Sequence, residues 1–265
     1  MPARFTVLGD KLFFTATDNN GDRELWESDG TSGGTVRTKD LDAGLSSNLF
    51  DLTTAGDRFY FVSADTAPAK LWRSDGTSNG TVVVRTLDGT FGGAANFVRA
   101  LGATYMSANS ASGNELWRTD DTAGGTVLVK DIRSGNPSSS PKSLTAFDGR
   151  VFFSADDGVH GRELWVSDGT AEGTTLFMDL YPGAASGVTE SFVVLGDHLY
   201  FMGNDGDTGA ELWRTDGTVE GTTLVHDLNP LAGSYPSGLV VHAGELWFIA
   251  SSGGPRTVWR YTPVP

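Results

Sequence analysis

The 265-residue sequence contains no cysteine. This absence excludes disulfide bonds, thiolate zinc sites and cysteine nucleophiles together. It leaves the cellular compartment open, since secreted bacterial proteins often lack cysteine as well. The first residues, Met1 to Arg4, have no apolar stretch that could serve as a signal peptide, and no apolar run reaches membrane-spanning length. We therefore predict neither a signal peptide within this sequence nor insertion into a membrane.

Positive charge is scarce, with 19 lysines and arginines against 33 aspartates and glutamates and a formal net charge of −14. An acidic surface repels phosphate backbones, so we predict no nucleic-acid partner. The acidity fits cation binding, a salty or extracellular environment, or solubility alone. Catalytic signatures are also missing, because the sequence has no nucleophile elbow, Walker A loop, dinucleotide fingerprint or zinc-binding histidine pair.

What the sequence does have is a regularly spaced tryptophan. Six of its seven tryptophans recur at spacings of 46, 45, 48, 48 and 46 residues, and they are Trp26, Trp72, Trp117, Trp165, Trp213 and Trp259. A period of this length indicates a repeat architecture. The approximate repeats are 3–43, 48–89, 95–135, 142–183, 190–231 and 237–265.

Each repeat divides into four short apolar or alternating segments. In the fourth repeat these segments are 143–147, 150–155, 162–167 and 174–180, and Asp-Gly turns join the first to the second and the third to the fourth. No stretch has an apolar period of 3.6 residues, so no helix is expected. Four antiparallel strands repeated six times predict an all-β fold, a six-bladed β-propeller, in a single domain over 1–265. A solenoid is the alternative, but its repeats are usually shorter and its ends need caps.

The sixth repeat stops after its third strand, so we predict four-stranded antiparallel blades of which the last lacks its fourth strand. A truncated chain, or a strand donated by another copy, is the alternative. The recurrent tryptophans are predicted to be structural. Blades meet face to face, and one tryptophan can bury about 150–250 Å² at such a contact.

The motif around the tryptophans carries a family resemblance. Residues 163–170 read ELWVSDGT, a Gly-Thr pair follows at 173–174, and the first and fifth repeats carry the same pattern. This pattern resembles the bacterial repeat family named for its ELWxxDGT motif. The resemblance implies a β-propeller in a secreted or cell-surface protein, often within a longer multidomain chain. Three repeats depart from the motif, at Lys70, Asp121 and Val258.

The loops between second and third strands hold a possible calcium site. Asp18, Asn20, Asp22 and Glu24 place oxygen ligands at alternate positions in the first repeat, and the fifth repeat offers Asp205, Asp207 and Glu211. Calcium prefers such hard oxygen ligands. Aspartate, asparagine and glycine are also the ordinary residues of tight turns, so local turn chemistry is the alternative. Calcium is the one cofactor that the sequence suggests.

Three functions remain open at this stage. The first is a non-catalytic binding or scaffold propeller whose upper-face loops engage a protein or a carbohydrate. The second is a hydrolase or lyase with its site at the mouth of the central channel, and the third is a purely structural repeat array. Phe91, Tyr181 and Tyr235 lie in the irregular loops and could line a ligand groove or pack those loops down. Regular repetition favours the first function, because active sites usually break such symmetry.

Overall fold

The structure is a computed structural model, and it describes residues 2–41, 47–63, 69–86, 94–188 and 191–263. These residues form strands, turns and bends, and none of them is helical. The described chain accordingly offers no helix long and apolar enough to cross a membrane. The chain divides into an N-terminal unit, Met1–Val129, and a C-terminal unit, Lys130–Pro265.

The N-terminal unit holds three four-stranded antiparallel sheets with strands in chain order. Sheet 1 consists of β1 (Ala3–Leu8), β2 (Lys11–Thr17), β3 (Arg23–Ser28) and β4 (Val36–Lys39). Sheet 2 consists of β5 (Leu49–Ala55), β6 (Arg58–Ser63), β7 (Lys70–Ser74) and β8 (Val82–Thr86). Sheet 3 consists of β9 (Ala95–Ala100), β10 (Ala103–Ser110), β11 (Gly113–Thr119) and β12 (Val127–Lys130), whose last residue falls beyond the unit boundary.

The C-terminal unit holds two four-stranded sheets and one sheet with three described strands. Sheet 4 consists of β13 (Lys142–Phe147), β14 (Arg150–Asp156), β15 (Arg162–Ser167) and β16 (Thr175–Met178). Sheet 5 consists of β17 (Val193–Leu195), β18 (His198–Asn204), β19 (Ala210–Thr215) and β20 (Thr223–His226). Sheet 6 consists of β21 (Ser237–His242), β22 (Glu245–Ala250) and β23 (Thr257–Tyr261). The prediction of one domain over 1–265 stays a prediction.

The first strand of five sheets contains a bulge that repeats at the same place. The strand register shifts there, and the left-handed residues at the shift are Arg4, Asp51, Asn96, Ser143 and Gly238, with φ from 55° to 62°. A bulge adds one residue to a strand and increases its local twist. The repeats therefore share a distortion as well as a strand pattern.

Four of the six recurrent tryptophans, Trp72, Trp117, Trp213 and Trp259, lie in apolar layers between neighbouring sheets of one unit. Trp72 stacks on Phe61 with ring centroids 5.9 Å apart, in a cluster that also contains Phe13 of sheet 1. Trp213 packs with Phe201 of its own sheet and Leu164 of sheet 4. Trp72, Trp165 and Trp213 are buried, whereas Trp26, Trp117 and Trp259 are half-buried. Face-to-face packing of the sheets thus supplies the core.

One departure from the repeat motif has a packing reason. Asp121 replaces the turn glycine of the third repeat and keeps a left-handed backbone with φ 75°, which is costly for a residue other than glycine. Its carboxylate accepts hydrogen bonds from the Tyr60 hydroxyl at 2.6 Å and from Arg58 at 2.5 Å. Burial and the bond to Asp121 raise the pKa of Tyr60 to about 12. The replacement therefore links sheet 3 to sheet 2.

Candidate functional site

Each sheet has two ends that differ in sequence. We call one end the loop face, formed by the connections from second to third strand and from fourth strand to the next sheet. The other end is the turn face, formed by the connections from first to second and from third to fourth strand. Because strands in each sheet follow one another in antiparallel order, the connections of each kind share one end.

A buried glutamate holds the loop face of sheet 4. Glu163 is fully buried, and its carboxylate accepts the backbone N–H of Leu180 at 2.9 Å and that of Gly187 at 2.6 Å. Both donors belong to the connection from β16 to sheet 5 and are seven residues apart in the chain. Burial raises the pKa of Glu163 to about 7, although the bonds from Leu180, Gly187 and Tyr181 act in the opposite direction. One carboxylate thus fixes two separate points of this loop.

The same device recurs in sheets 5 and 1. The buried Glu211 accepts the N–H of Leu228 at 3.2 Å and that of Ser234 at 2.8 Å. Glu24 is also fully buried and accepts the N–H of Leu41 at 2.9 Å. Burial raises the pKa of Glu24. We call these carboxylates glutamate clamps. The calcium hypothesis includes two of them: both oxygens of Glu211 accept loop N–H groups, and Oε2 of Glu24 accepts one.

Two of the four predicted aspartate ligands, Asp18 and Asp205, are engaged in their own turns. Asp18 Oδ1 accepts the N–H groups of Asn20 and Asp22 at 2.8 and 3.1 Å. Asp205 Oδ1 likewise accepts the N–H groups of Asp207 and Thr208 at 3.0 and 2.8 Å. Such bonds are ordinary turn chemistry. Within the described ranges, no three aspartate, glutamate, histidine or cysteine side chains come together as a metal site. Calcium binding stays a prediction.

One histidine pairs with an aspartate on this face. His160 Nδ1 lies 2.7 Å from Asp157 Oδ2, and Asp157 Oδ1 accepts the N–H groups of Val159 and His160. The hydrogen bond to Asp157 raises the pKa of His160. In sheet 5, Thr208 donates to Asp205 from the corresponding position. The pair therefore closes a turn in the way its threonine counterpart does.

Backbone hydrogen bonds tie successive loops of the C-terminal unit together. Val188 N–H donates to the carbonyl of Arg162 at 3.1 Å, and Asn204 N–H donates to Gly187 at 2.7 Å. The next connection repeats both bonds, from Tyr235 to Ala210 and from Ser251 to Ser234, each at 2.9 Å. Main-chain bonds together with glutamate clamps thus fix the loop positions from sheet 4 to sheet 6.

The three aromatic candidates differ in their surroundings. Phe91 lies outside the described residues. Tyr181 is half-buried, and its ring covers Gly206, where an added Cβ would come within 2.8 Å of a ring carbon. Tyr235 is 57% exposed and has a left-handed backbone with φ 51°. Tyr181 therefore packs two loops together, and Tyr235 remains open to a ligand.

Sequence reasoning missed two other exposed side chains on the loop face. Leu231, on the same connection as Tyr235, is 97% exposed, and Val159, on the connection from β14 to β15, is 65% exposed. A leucine inside the turn-forming run Asn229-Pro230-Leu231-Ala232-Gly233 cannot enter a strand core, and this signal could have identified it. We call Leu231 and Tyr235 the loop-face anchors.

Comparisons with known proteins bear on the fold. No family model and no curated protein matches the chain. A solved prolyl endopeptidase superposes with a TM-score of 0.60 at 15% identity, over 100% of this chain and 42% of that one. A puromycin-hydrolyzing peptidase of Mycobacterium tuberculosis gives 0.59 at 12% identity, over 99% and 44%. The computationally designed Ika8 protein gives 0.58 at 15% identity, over 98% and 71%.

These likenesses, at such low identity, concern the fold alone. The chain spans less than half the length of either peptidase. Together with the six antiparallel sheets, they confirm the predicted fold class, an all-β, six-bladed β-propeller. Among the described residues the last blade has three strands, again as predicted.

Proposed function

We propose that this propeller is a non-catalytic binding module, which engages a partner protein through the loop face of its C-terminal unit. The supporting observation is the connection that carries the loop-face anchors. Both of its ends bond to the buried Glu211, while Leu231 and Tyr235 point into solvent. A large apolar side chain left exposed on a fixed loop favours recognition of another surface.

Rigid loops lower the cost of association. Binding orders mobile side chains and loops at a cost of about 0.5–1.5 kcal/mol for each immobilised side chain. Here the backbone of Tyr235 is already held, because its N–H donates to Ala210 and its carbonyl accepts Arg256 at 2.6 Å. Aromatic anchors of this kind often supply much of the affinity of a protein interface.

The hydrolase or lyase alternative has less support from the same contacts. Glu163 and the His160–Asp157 pair are the titratable groups with shifted pKa values that an enzyme would use. Each of them closes a loop, and each has a counterpart in sheet 5 with the same bonds. The peptidases with a similar fold are more than twice as long as this chain, so their activity does not transfer to it.

The cellular location of the protein is a proposal as well. The ELWxxDGT-like motif supports a secreted or cell-surface protein, and the same resemblance supports a longer parent chain with flanking modules. Either setting would present the loop face to other proteins or to carbohydrates.

The experiment is a selection from a displayed peptide library, run beside a glycan array. Peptides enriched on the wild-type protein are then measured on the double variant Leu231→Ser, Tyr235→Asn, in which asparagine suits the left-handed backbone. We expect the affinity to fall about tenfold or more, because burial of each apolar anchor side chain contributes roughly 1.5–3 kcal/mol to the binding free energy. The matched control is Val219→Ser, an exposed valine on the turn face. Peptides that bind the double variant equally well, or binding of glycans alone, would contradict the proposal.

A further inference from the structure

The bulge of the first strand carries different residues in the two units. In the N-terminal unit its left-handed residues are Arg4, Asp51 and Asn96, whereas in the C-terminal unit they are Ser143 and Gly238. A left-handed backbone is unfavourable for residues other than glycine, and asparagine and aspartate tolerate it better than arginine does. Backbone strain of this kind clusters at binding sites. The N-terminal unit therefore has charged side chains at a strained position where serine or glycine is sufficient elsewhere.

The bulges of sheets 1 and 2 meet near the loop face. Each first strand begins at this face, so Arg4 and Asp51 lie toward the loop-face ends of β1 and β5, and these two strands contact each other. The guanidinium carbon of Arg4 lies 4.7 Å from the centroid of the Phe50 ring, in a cation–π contact. Phe50 directly precedes Asp51 and is 37% exposed. Side chains of two sheets thus form one surface, which we call the bulge site: Arg4, Phe50 and Asp51.

The serine at the same position of sheet 4 is bonded within the protein. Ser143 Oγ accepts the N–H of Ser191 at 3.2 Å, and the carbonyl of Ser143 accepts the hydroxyl of Thr145 at 2.9 Å. Arg4 and Asp51 differ from it. Within the described part of the chain, neither side chain forms a hydrogen bond, and no ion pair joins the two. The bulge site therefore has charged donors and acceptors that the protein itself does not use.

The carboxylate of Asp51 is partly withdrawn from water. Burial raises the pKa of Asp51, and the nearby charge of Arg4 lowers it. An ionised carboxylate that loses water without gaining a hydrogen bond is unfavourable. Asp57, in the turn after β5, is by contrast exposed and pairs with Arg58 at 3.0 Å. Hydrogen-bond donors of a ligand would stabilise the Asp51 carboxylate in the way that Arg58 stabilises Asp57.

The charges of the bulge site select among classes of ligand. Asp51 and the net charge of −14 repel a simple anion, and Arg4 repels a simple cation. A neutral sugar would displace water from both charges and compensate neither. A zwitterion pairs with both.

We propose that the bulge site binds a free α-amino acid. The carboxylate of the amino acid accepts hydrogen bonds from Arg4, and its ammonium group donates to Asp51, so that both bonds are charge-assisted. The bulge site belongs to the N-terminal unit and the loop-face anchors belong to the C-terminal unit. The two proposals therefore stand or fall independently.

The probes are the proteinogenic L-amino acids, titrated one at a time onto the full chain. Proton–nitrogen NMR follows the Nε–Hε signal of Arg4 and the backbone amide of Asp51. We expect at least one amino acid to shift both signals saturably, with a Kd of about 1 mM or tighter. Acetate, methylamine and glucose carry the anion, the cation and the hydroxyl groups separately. None of the three is expected to produce a saturable shift, because each leaves at least one charge of the site unpaired.

Matched variants complete the test. Arg4→Gln and Asp51→Asn each remove one charge, and asparagine suits the left-handed backbone. Each is expected to bind the amino acid about tenfold more weakly or worse, because a charge-assisted hydrogen bond is lost. The controls are Arg118→Gln, an exposed arginine of β11, and Asp57→Asn, and both are expected to bind as the wild type does.

Circular dichroism confirms that the four variants fold. Three results would overturn the proposal. They are the absence of a saturable shift with any amino acid, equal affinity in the variants of the bulge site and the wild type, and saturation by acetate or glucose as strong as that by an amino acid. The last result would assign the site to simple anions or to sugars.

Discussion

The two ends of sheet 4 use carboxylates in opposite environments. On the turn face, the exposed Asp168 accepts the N–H of Thr170 at 2.8 Å and its hydroxyl at 2.7 Å, and these bonds lower its pKa. On the loop face, the buried Glu163 accepts backbone N–H groups as well, but burial raises its pKa to about 7. The acceptor chemistry is the same. Water stabilises the ionised carboxylate of the exposed residue, whereas burial destabilises the ionised carboxylate of the other.

The turn face also depends on a close approach between a glycine and the carboxylate of an aspartate. Asp168, Thr170 and Gly173 form a closed set, in which Thr170 Oγ1 accepts the Gly173 N–H at 2.9 Å. A Cβ added to Gly173 would lie 2.1 Å from Asp168 Oδ1, so only glycine fits there. The same set recurs in the other four Asp-x-Thr turns, at Gly34, Gly80, Gly125 and Gly221. These turns are rigid through local contacts, whereas each glutamate clamp joins a strand to a distant loop.

The largest effect is expected from removal of a clamp. Glu163→Ala leaves the buried N–H groups of Leu180 and Gly187 without an acceptor, and each such donor costs about 1–3 kcal/mol. We expect the free energy of unfolding in urea to fall by about 3 kcal/mol. Glu172→Ala, which removes an exposed glutamate nearby, is the control and should change it little. Similar decreases in the free energy of unfolding of the two variants would contradict a special role for the buried carboxylate.

The next effect is a pH dependence that separates the two carboxylates. The pKa of Glu163 is raised from 4.5 to about 7 in the folded protein, so the pH-dependent part of its contribution to stability is full below pH 4.5 and is lost as pH rises through about 7. Asp168 has a lowered pKa, so its contribution is present above pH 3.8 and is lost as pH falls. Unfolding in urea at several pH values should show a larger loss of stability with rising pH in the wild type than in Glu163→Gln, because Glu24, whose pKa is also raised, remains in both. Parallel profiles would contradict it.

A smaller loss is expected from a methyl group on the turn face. Gly173→Ala forces Cβ into Asp168, and overpacking of this kind costs about 1–3 kcal/mol. In the double variant with Asp168→Ala the clash disappears, so the two losses should not add. Thermal unfolding of the three variants measures this coupling. Additive losses would show that the two residues act separately.

The smallest loss is expected from Asp168→Ala alone. Its hydrogen bonds with Thr170 lie in solvent, where water competes for the same groups, so their net contribution to stability is small. Asp197→Ala, at another exposed turn of the same unit, is the control and should have almost no effect. If Asp168→Ala cost as much as Glu163→Ala, burial would not explain the difference between the two faces.

The sequence was sufficient for the fold because local rules determine it. Strand alternation, Asp-Gly turns and the tryptophan period each recur, and the structure has strands where they predict them, as in Arg150–Asp156 and Arg162–Ser167. The three strands that sheet 6 has among the described residues were predictable in the same way. These features depend on residues close together in the chain.

The loop face was harder to predict because its contacts are long-range. Glu163 lies 24 residues from Gly187, and no period in the connecting loop reveals that their atoms meet. The spacing of Asp18, Asn20 and Asp22 suggested a metal, but turn geometry lets one Asp18 oxygen accept both following N–H groups. Exposure of Leu231 depends on how Glu211 holds its loop. These loop contacts and the exposure of Leu231 are properties of the folded chain, and the local sequence does not reveal them.

Hydrogen exchange at the two ends of one loop tests the glutamate clamp most directly. The amides of Leu180 and Gly187 belong to a connection without regular strand structure, yet both donate to Glu163. We predict slow exchange of both amides in the wild-type protein, and fast exchange of both in Glu163→Ala while the amides of β14 stay protected. Fast exchange in the wild type, or unchanged exchange in the variant, would contradict the role of the buried carboxylate.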